Sequence, residues 1–279
     1  MPLHVFAAVL AAALLHAGWN AVIKKATGRQ ASMLLLALVQ GAIALPLLPF
    51  VPTPAPEAWG WVLAGGALHA GYKLMLTQAY THADLSLAYP LARGTAPLIV
   101  MAVSALWMGA SFGPTALAAI VAISAGVLLM AVKGGSGARV SRTALGYALA
   151  TAAFTASYTL ADGVGARVAG TASGFVLWMV LVDTGLMAAA AALTTGRAAF
   201  RGLGAAWRTG LPAGAMSLGA YWIAVWAFTQ APLALVAALR ESSILFAALI
   251  AAVVLREPVE RWRWVAAGLI AAGVLLTRL

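Results

Sequence analysis

The sequence predicts an all-α integral membrane protein of ten transmembrane helices, arranged as two inverted five-helix repeats. Of its 279 residues 63% are hydrophobic and 9% charged, with a mean hydropathy of +0.96; a soluble domain is roughly half apolar and a quarter charged. The apolar residues gather into ten runs separated by short connections. Each run has the length, about 20 residues, that crosses a hydrocarbon core with its backbone groups satisfied within the helix. The motifs of the first five runs return in the last five.

The runs cover 2–23, 31–50, 57–80, 84–108, 113–132, 143–166, 172–194, 207–230, 232–255 and 258–277. The first has no basic residue ahead of it and Lys24 and Lys25 behind it, the reverse of a secretory leader, so it reads as a retained helix. Pro52, Pro54 and Pro56 part the second run from the third, because proline cannot continue a helix. The fourth run contains Pro90 and Pro97 on either side of Arg93, lacks two backbone donors there, and is expected to kink beside the charge. Gly134, Gly135 and Gly137 close the fifth run, and Gly196 and Gly202 lie in the basic connection after the seventh.

The formal charge of +10 and the pI of 10.7 would suggest nucleic acid in a soluble protein. Here twelve of the seventeen Lys and Arg residues stand in odd-numbered connections, and Arg167 and Arg278 alone stand in the even ones and at the C-terminus. By the positive-inside rule the odd connections are cytoplasmic and both termini extracytoplasmic. No nucleic acid partner is implied; the expected partners are the lipid bilayer and a small-molecule substrate, with the protein a monomer. No cysteine is present to form a disulfide or thiolate site. No phosphate-binding loop, metal-ligand spacing or nucleophile elbow occurs, so neither a cofactor nor a metal nor an enzymatic activity is expected.

The segment LTQAYTHADLSLAYPLARGTAP (76–97) resembles VWAFTQAPLALVAALRESSI (225–244), and AISAGVLLM (122–130) resembles LIAAGVLLT (269–277). The match sets Gly71 on Gly219, Arg93 on Arg240, Thr95 on Ser242 and Gly126 on Gly273, which gives repeats at 1–135 and 143–279. Five helices is an odd number, so the second copy enters the membrane inverted, an arrangement that places substrate sites near the midplane of secondary transporters. HAGWN (16–20), YPLARGTAP (89–97), LRESSILFAAL (239–249) and the paired AGVLL endings resemble the EamA family of the drug/metabolite transporter superfamily, along essentially the whole chain. That resemblance implies a ten-helix basket whose cavity is lined mainly by the first, third, fourth, sixth, eighth and ninth helices. It also implies a bacterial inner-membrane transporter, with amino-acid exporters among its members.

Residues at i, i+3 and i+4 share a helix face. His16, Trp19 and Asn20 do so on the first helix, and His69, Tyr72 and Lys73 on the third. The sixth carries Thr155, Tyr158 and Thr159, and the eighth Ser217 and Tyr221, with Trp222 and Trp226 on a neighbouring face. Trp59, Trp61, Trp207, Trp262 and Trp264 stand near helix ends, as interfacial belts do. Lys73 and Arg93 inside spans need a partner or an aqueous cavity, since a mid-membrane charge costs at least about 2.5 kcal/mol. Tyr89 lies one turn from Arg93. Glu241 follows Arg240 and either neutralises charge locally, pairing with Arg240, Lys73 or Arg93, or forms a gate whose ion pairs exchange between states; Asp183 is the other mid-span acid. The expected substrate-binding residues are therefore His16, Trp19, Asn20, His69, Tyr72, Lys73, Tyr89, Arg93, Tyr158, Tyr221, Trp222 and Trp226, with Arg240, Glu241 and Asp183 gating or coupling.

Bases then outnumber acids inside the membrane, which suits a carboxylate-bearing substrate with an apolar or aromatic body, such as an amino acid. A carrier of cationic drugs or quaternary amines caged by the aromatic rings is the rival within the transporter class. An intramembrane lipid-modifying enzyme using His16 or His69 with Asp183, or a non-transporting scaffold, are the rivals outside it.

Overall fold

The computed structural model describes residues 1–24, 29–82, 85–134, 141–201, 203–250 and 260–278, and among them there is no strand. The helices are α1 (Leu3–Lys24), α2 (Arg29–Leu47), α3 (Trp59–His82), α4 (Leu85–Leu106), α5 (Pro114–Gly134), α6 (Arg142–Val168), α7 (Ala172–Thr195), α8 (Trp207–Gln230), α9 (Leu233–Arg240), α10 (Ser243–Leu249) and α11 (Arg261–Leu276). The first eight runs and the last become single helices within a few residues of their expected bounds. The ninth does not: it divides into α9 and α10 at Glu241 and Ser242. The fourth is a single helix with Pro90 and Pro97 inside it.

Polarity runs inside out. Leu14, Leu63, Val121, Leu193 and Leu275 face outward, while Lys73, Arg93, Asp162, Asp183, Arg240 and Glu241 are all buried. Apolar side chains turned outward and charges turned inward are stable only with hydrocarbon as the surrounding solvent, so the chain is an all-α membrane protein. Among the described residues five stretches, in α1, α2, α5, α7 and α8, are by themselves long and apolar enough to cross. α3 and α6 are as long, but they carry the polar residues His69 and Lys73, and Thr151, Thr155, Thr159 and Asp162, that they turn inward.

The packing is reciprocal. α1 lies on α8 as α6 lies on α3; α2 touches α7 and α8 as α7 touches α2 and α3. α5 and α11 cross at a shared point where a Cβ on Gly126 would meet Ile270 Cγ1 at 2.7 Å and Ala266 O at 2.8 Å. A Cβ on Gly273 would meet Ile123 Cγ1 at 2.6 Å and Ala119 O at 2.8 Å. Glycine at both positions lets the two backbones touch, the small-residue packing that replaces hydrophobic driving force in lipid.

Candidate substrate cavity

α3 is the element that organises the polar interior, because two glycines one turn ahead of His69 bring its backbone onto two neighbours at once. A Cβ on Gly65 would collide with Asp162 Oδ1 of α6, and one on Gly66 would stand 2.5 Å from Val182 Cγ1 and 3.0 Å from Asp183 N of α7. From that position His69 Nε2 lies 2.9 Å from Asp162 Oδ2, and one turn on, Lys73 Nζ donates to Asp183 Oδ2. Tyr221 of α8 donates its hydroxyl to the same Asp162 oxygen. On the other side, Arg93 Nε donates to Glu241 Oε2 at 2.9 Å, tying α4 to the junction of α9 and α10. These pairs are buried on both sides, where attraction is strong but loss of one partner strands the other.

Arg240 is held differently. Its guanidinium carbon lies 5.1 Å from the centre of the Tyr221 ring and 6.0 Å from that of Phe228, and among the described residues no carboxylate bonds it. His69 stacks on Tyr158 at 4.1 Å and meets Tyr221 edge-on at 4.7 Å, while Tyr72 meets Tyr158 at 5.6 Å. A ring quadrupole facing a cation or the edge of another ring is attractive, so these contacts fix the aromatic walls.

The walls enclose a cavity of about 70 Å³, room for a handful of waters. His16 and Trp19 of α1, His69, Tyr72 and Lys73 of α3, Arg93 of α4, Tyr158 of α6, Asp183 of α7, Tyr221 of α8 and Arg240 of α9 all line it. Met33, Leu36 and Gln40 of α2, Met179 and Val180 of α7, and Ser217 complete it. The contribution of α2 and α7 exceeds what the resemblance implies. Gln40 Nε2 donates to Ser217 Oγ at 3.1 Å, a link between α2 and α8.

Three expected residues stand elsewhere. Asn20 donates to His16 O at 2.8 Å on its own helix, Trp222 Nε1 donates to Ser173 Oγ at 2.9 Å, and the Trp226 ring lies 6.1 Å from His4. The side chain of Tyr89 lies outside the described residues. Thr155 and Thr159 return their hydroxyls to carbonyls one turn back, Thr151 O and Thr155 O. Glu241 bonds Arg93 and Asp183 bonds Lys73, so the pairing left open by the sequence is resolved. An acid–base couple of His69 with Asp183 does not form, because each is bonded elsewhere.

Asp162 is the residue that the sequence does not single out, and it corrects the charge balance. Among the described residues the buried cations Lys73, Arg93 and Arg240 are matched by Asp162, Asp183 and Glu241, so these carry no surplus of positive charge. The available signal is an acid in mid-span, one helical turn beyond Tyr158, in the stripe continued from Thr155.

The EamA-like transporter family model matches residues 142–279. No curated protein matches the chain. Among solved structures, one described only as the crystal structure of a protein superposes with a TM-score of 0.73 at 20% identity, covering 99% of this chain and 96% of that one. That likeness extends the shared fold over the first half as well. Through residues 142–279 the chain belongs to the EamA-like transporter family, small-molecule transporters of the drug/metabolite transporter superfamily.

Proposed function

We propose that the protein is a secondary transporter that exports amino acids, or similar small zwitterions with an apolar body, across a bacterial inner membrane by alternating access. Two five-helix halves, 1–135 and 143–279, rock about the cavity, and the reciprocal seating of Gly126 and Gly273 supports that division. Both termini are extracytoplasmic; a periplasmic reporter fused after Leu279 is active, and activity of a cytoplasmic reporter alone overturns the orientation.

One observation carries the substrate class. Lys73 and Arg93 are each bonded to a carboxylate, whereas Arg240 lines the cavity against the Tyr221 and Phe228 rings, and among the described residues no carboxylate hydrogen-bonds it. A guanidinium oriented by a ring and lacking an acid partner is pre-organised for a carboxylate brought by the substrate. Trp19, Tyr72, Tyr158 and Met179 supply the wall for an apolar body, and Asp183, whose Oδ2 pairs with Lys73, keeps its Oδ1 without a hydrogen-bond partner among the described residues to meet an ammonium. The balanced interior charge favours a zwitterion over a plain anion.

The test is counterflow of a panel of radiolabelled amino acids in proteoliposomes, with quaternary amines as the competing panel. Saturable amino-acid exchange, reduced in Arg240→Ala and Trp19→Ala, supports the reading. Exchange of the amines alone replaces it with a carrier of organic cations.

A further inference from the structure

We propose that Asp162, with His69 and Tyr221, is a proton-binding site that couples substrate movement to proton movement. This rests on the transporter reading above.

Of the three buried carboxylates in the described residues, Asp183 is bonded to Lys73 and Glu241 to Arg93. Both are held by basic side chains. Asp162 is bonded instead to two groups that themselves exchange protons, the His69 imidazole and the Tyr221 hydroxyl, and both meet the one oxygen Oδ2. Its other oxygen, Oδ1, is buried with no hydrogen-bond partner and points at the gap left by Gly65. Asp162 is itself fully buried, but His69 and Tyr221 line the cavity, so the protons of water there reach it through those two rings. Of the charged groups on the elements packed around α6, those lining the cavity are His69 and Lys73 of α3, Arg93 of α4, Asp183 of α7 and Arg240 of α9, while Glu57 and Arg208 are exposed. Lys73 pairs with Asp183 and Arg93 with Glu241, while His69 bonds Asp162 itself and Arg240 lies over the Tyr221 ring.

Tyr221 joins this site to the substrate. Arg240 lies on the face of its ring and Asp162 accepts from its hydroxyl. A substrate carboxylate that draws Arg240 away moves the ring that the proton site depends on. The cycle balances as one proton taken from the outer aqueous phase onto Asp162 and released to the cytoplasm for each substrate carried out. No other group gains or loses charge.

The test uses the full-length protein in lipid. Infrared difference spectra between high and low pH are expected to show the C=O stretch of a protonated carboxylic acid that is lost in Asp162→Asn and retained in Asp183→Asn. A band that survives Asp162→Asn, or no band in the wild type, overturns the site. The ratio of flux driven by a pH gradient to counterflow at equal pH is expected to fall about tenfold or more in Asp162→Asn. An equal fall of both rates, or flux that follows a sodium gradient, overturns the coupling, since a merely structural role leaves the ratio unchanged. Should Asp162→Asn fail to fold, His69→Gln and Tyr221→Phe keep the carboxyl and are expected to displace the pH midpoint of its band; an unmoved midpoint in both overturns the relay. A band assigned to Asp162 without flux of any amino acid upholds the proton site and sinks the substrate reading instead.

Discussion

α4 and the α9–α10 pair occupy matching places in the two motif copies, yet the same cation serves different ends in each. α4 runs unbroken from Leu85 to Leu106 through two prolines, and its Arg93 is held in an ion pair. α9 stops at Arg240 with no proline or glycine near, and the turn at Glu241 and Ser242 is tightened by i to i−3 bonds, Glu241 N to Ala238 O at 2.9 Å and Ser242 N to Leu239 O at 3.1 Å. The substitution that separates the copies is Gly94 against Glu241. Glu241 reaches Arg93, neutralises it and anchors the break, and Arg240 is left facing the cavity. A short stretch of 3₁₀ geometry inside a helix commonly marks a hinge, and here that turn directly follows Arg240, which no carboxylate hydrogen-bonds among the described residues. The two matched arginines therefore differ in their surroundings: Arg93 donates to Glu241, and Arg240 lies over the Tyr221 ring.

The largest effect should come from breaking the pair. Glu241→Gln removes the carboxylate that the buried Arg93 donates to and should cost about 3–5 kcal/mol of stability, read as thermal unfolding in detergent. Joint replacement of Arg93 by Met and Glu241 by Leu should recover most of it. If the single variant melts like wild type, Glu241 does not hold Arg93. By contrast Arg240→Ala should lower counterflow by about 10- to 100-fold, the worth of a hydrogen bond to a charged group. Its melting temperature should barely move, since no acid is stranded; a collapse comparable to that of Glu241→Gln would erase the distinction drawn between the two arginines.

Where the halves kept their equivalence the variants should agree. Gly126→Ala and Gly273→Ala should each cost about 1–3 kcal/mol by overpacking, and by similar amounts, because each Cβ meets the same pair of neighbours in the other helix. Unequal losses would count against the pseudo-symmetric crossing. The smallest effect belongs to the hinge: Ser242 Oγ is buried with no partner, so Ser242→Ala should change stability by less than about 1 kcal/mol, in the stabilising direction if at all. A marked loss would show that the hydroxyl has a role in the turn.

Much of this architecture is legible in the sequence. The apolar runs become helices, and His16, Trp19, His69, Tyr72, Lys73, Arg93, Tyr158 and Tyr221 come together because a face that is costly to turn toward lipid must turn inward. Trp222 and Trp226 escape that rule for a related reason: an aromatic ring is tolerated against packing neighbours as well as against a substrate, so its chemistry does not reveal which way it faces. Asp162 is easily overlooked because its importance lies in its partners, His69 on α3 and Tyr221 on α8, which are distant in sequence.

Composition and periodicity by themselves determined that the chain is a membrane-embedded helical protein and where nearly every helix starts and stops, since transfer of apolar side chains into hydrocarbon and the need to satisfy each backbone group depend on local sequence alone. Tertiary structure decided which charges neutralise one another, where the ninth helix breaks and which arginine is left for the cavity. Coulomb attraction in a low-dielectric interior falls off over a few ångströms and is blind to chain position, so the partners of Lys73, Arg93 and Asp162 were set only when α3, α4, α6, α7 and α9 were packed against each other.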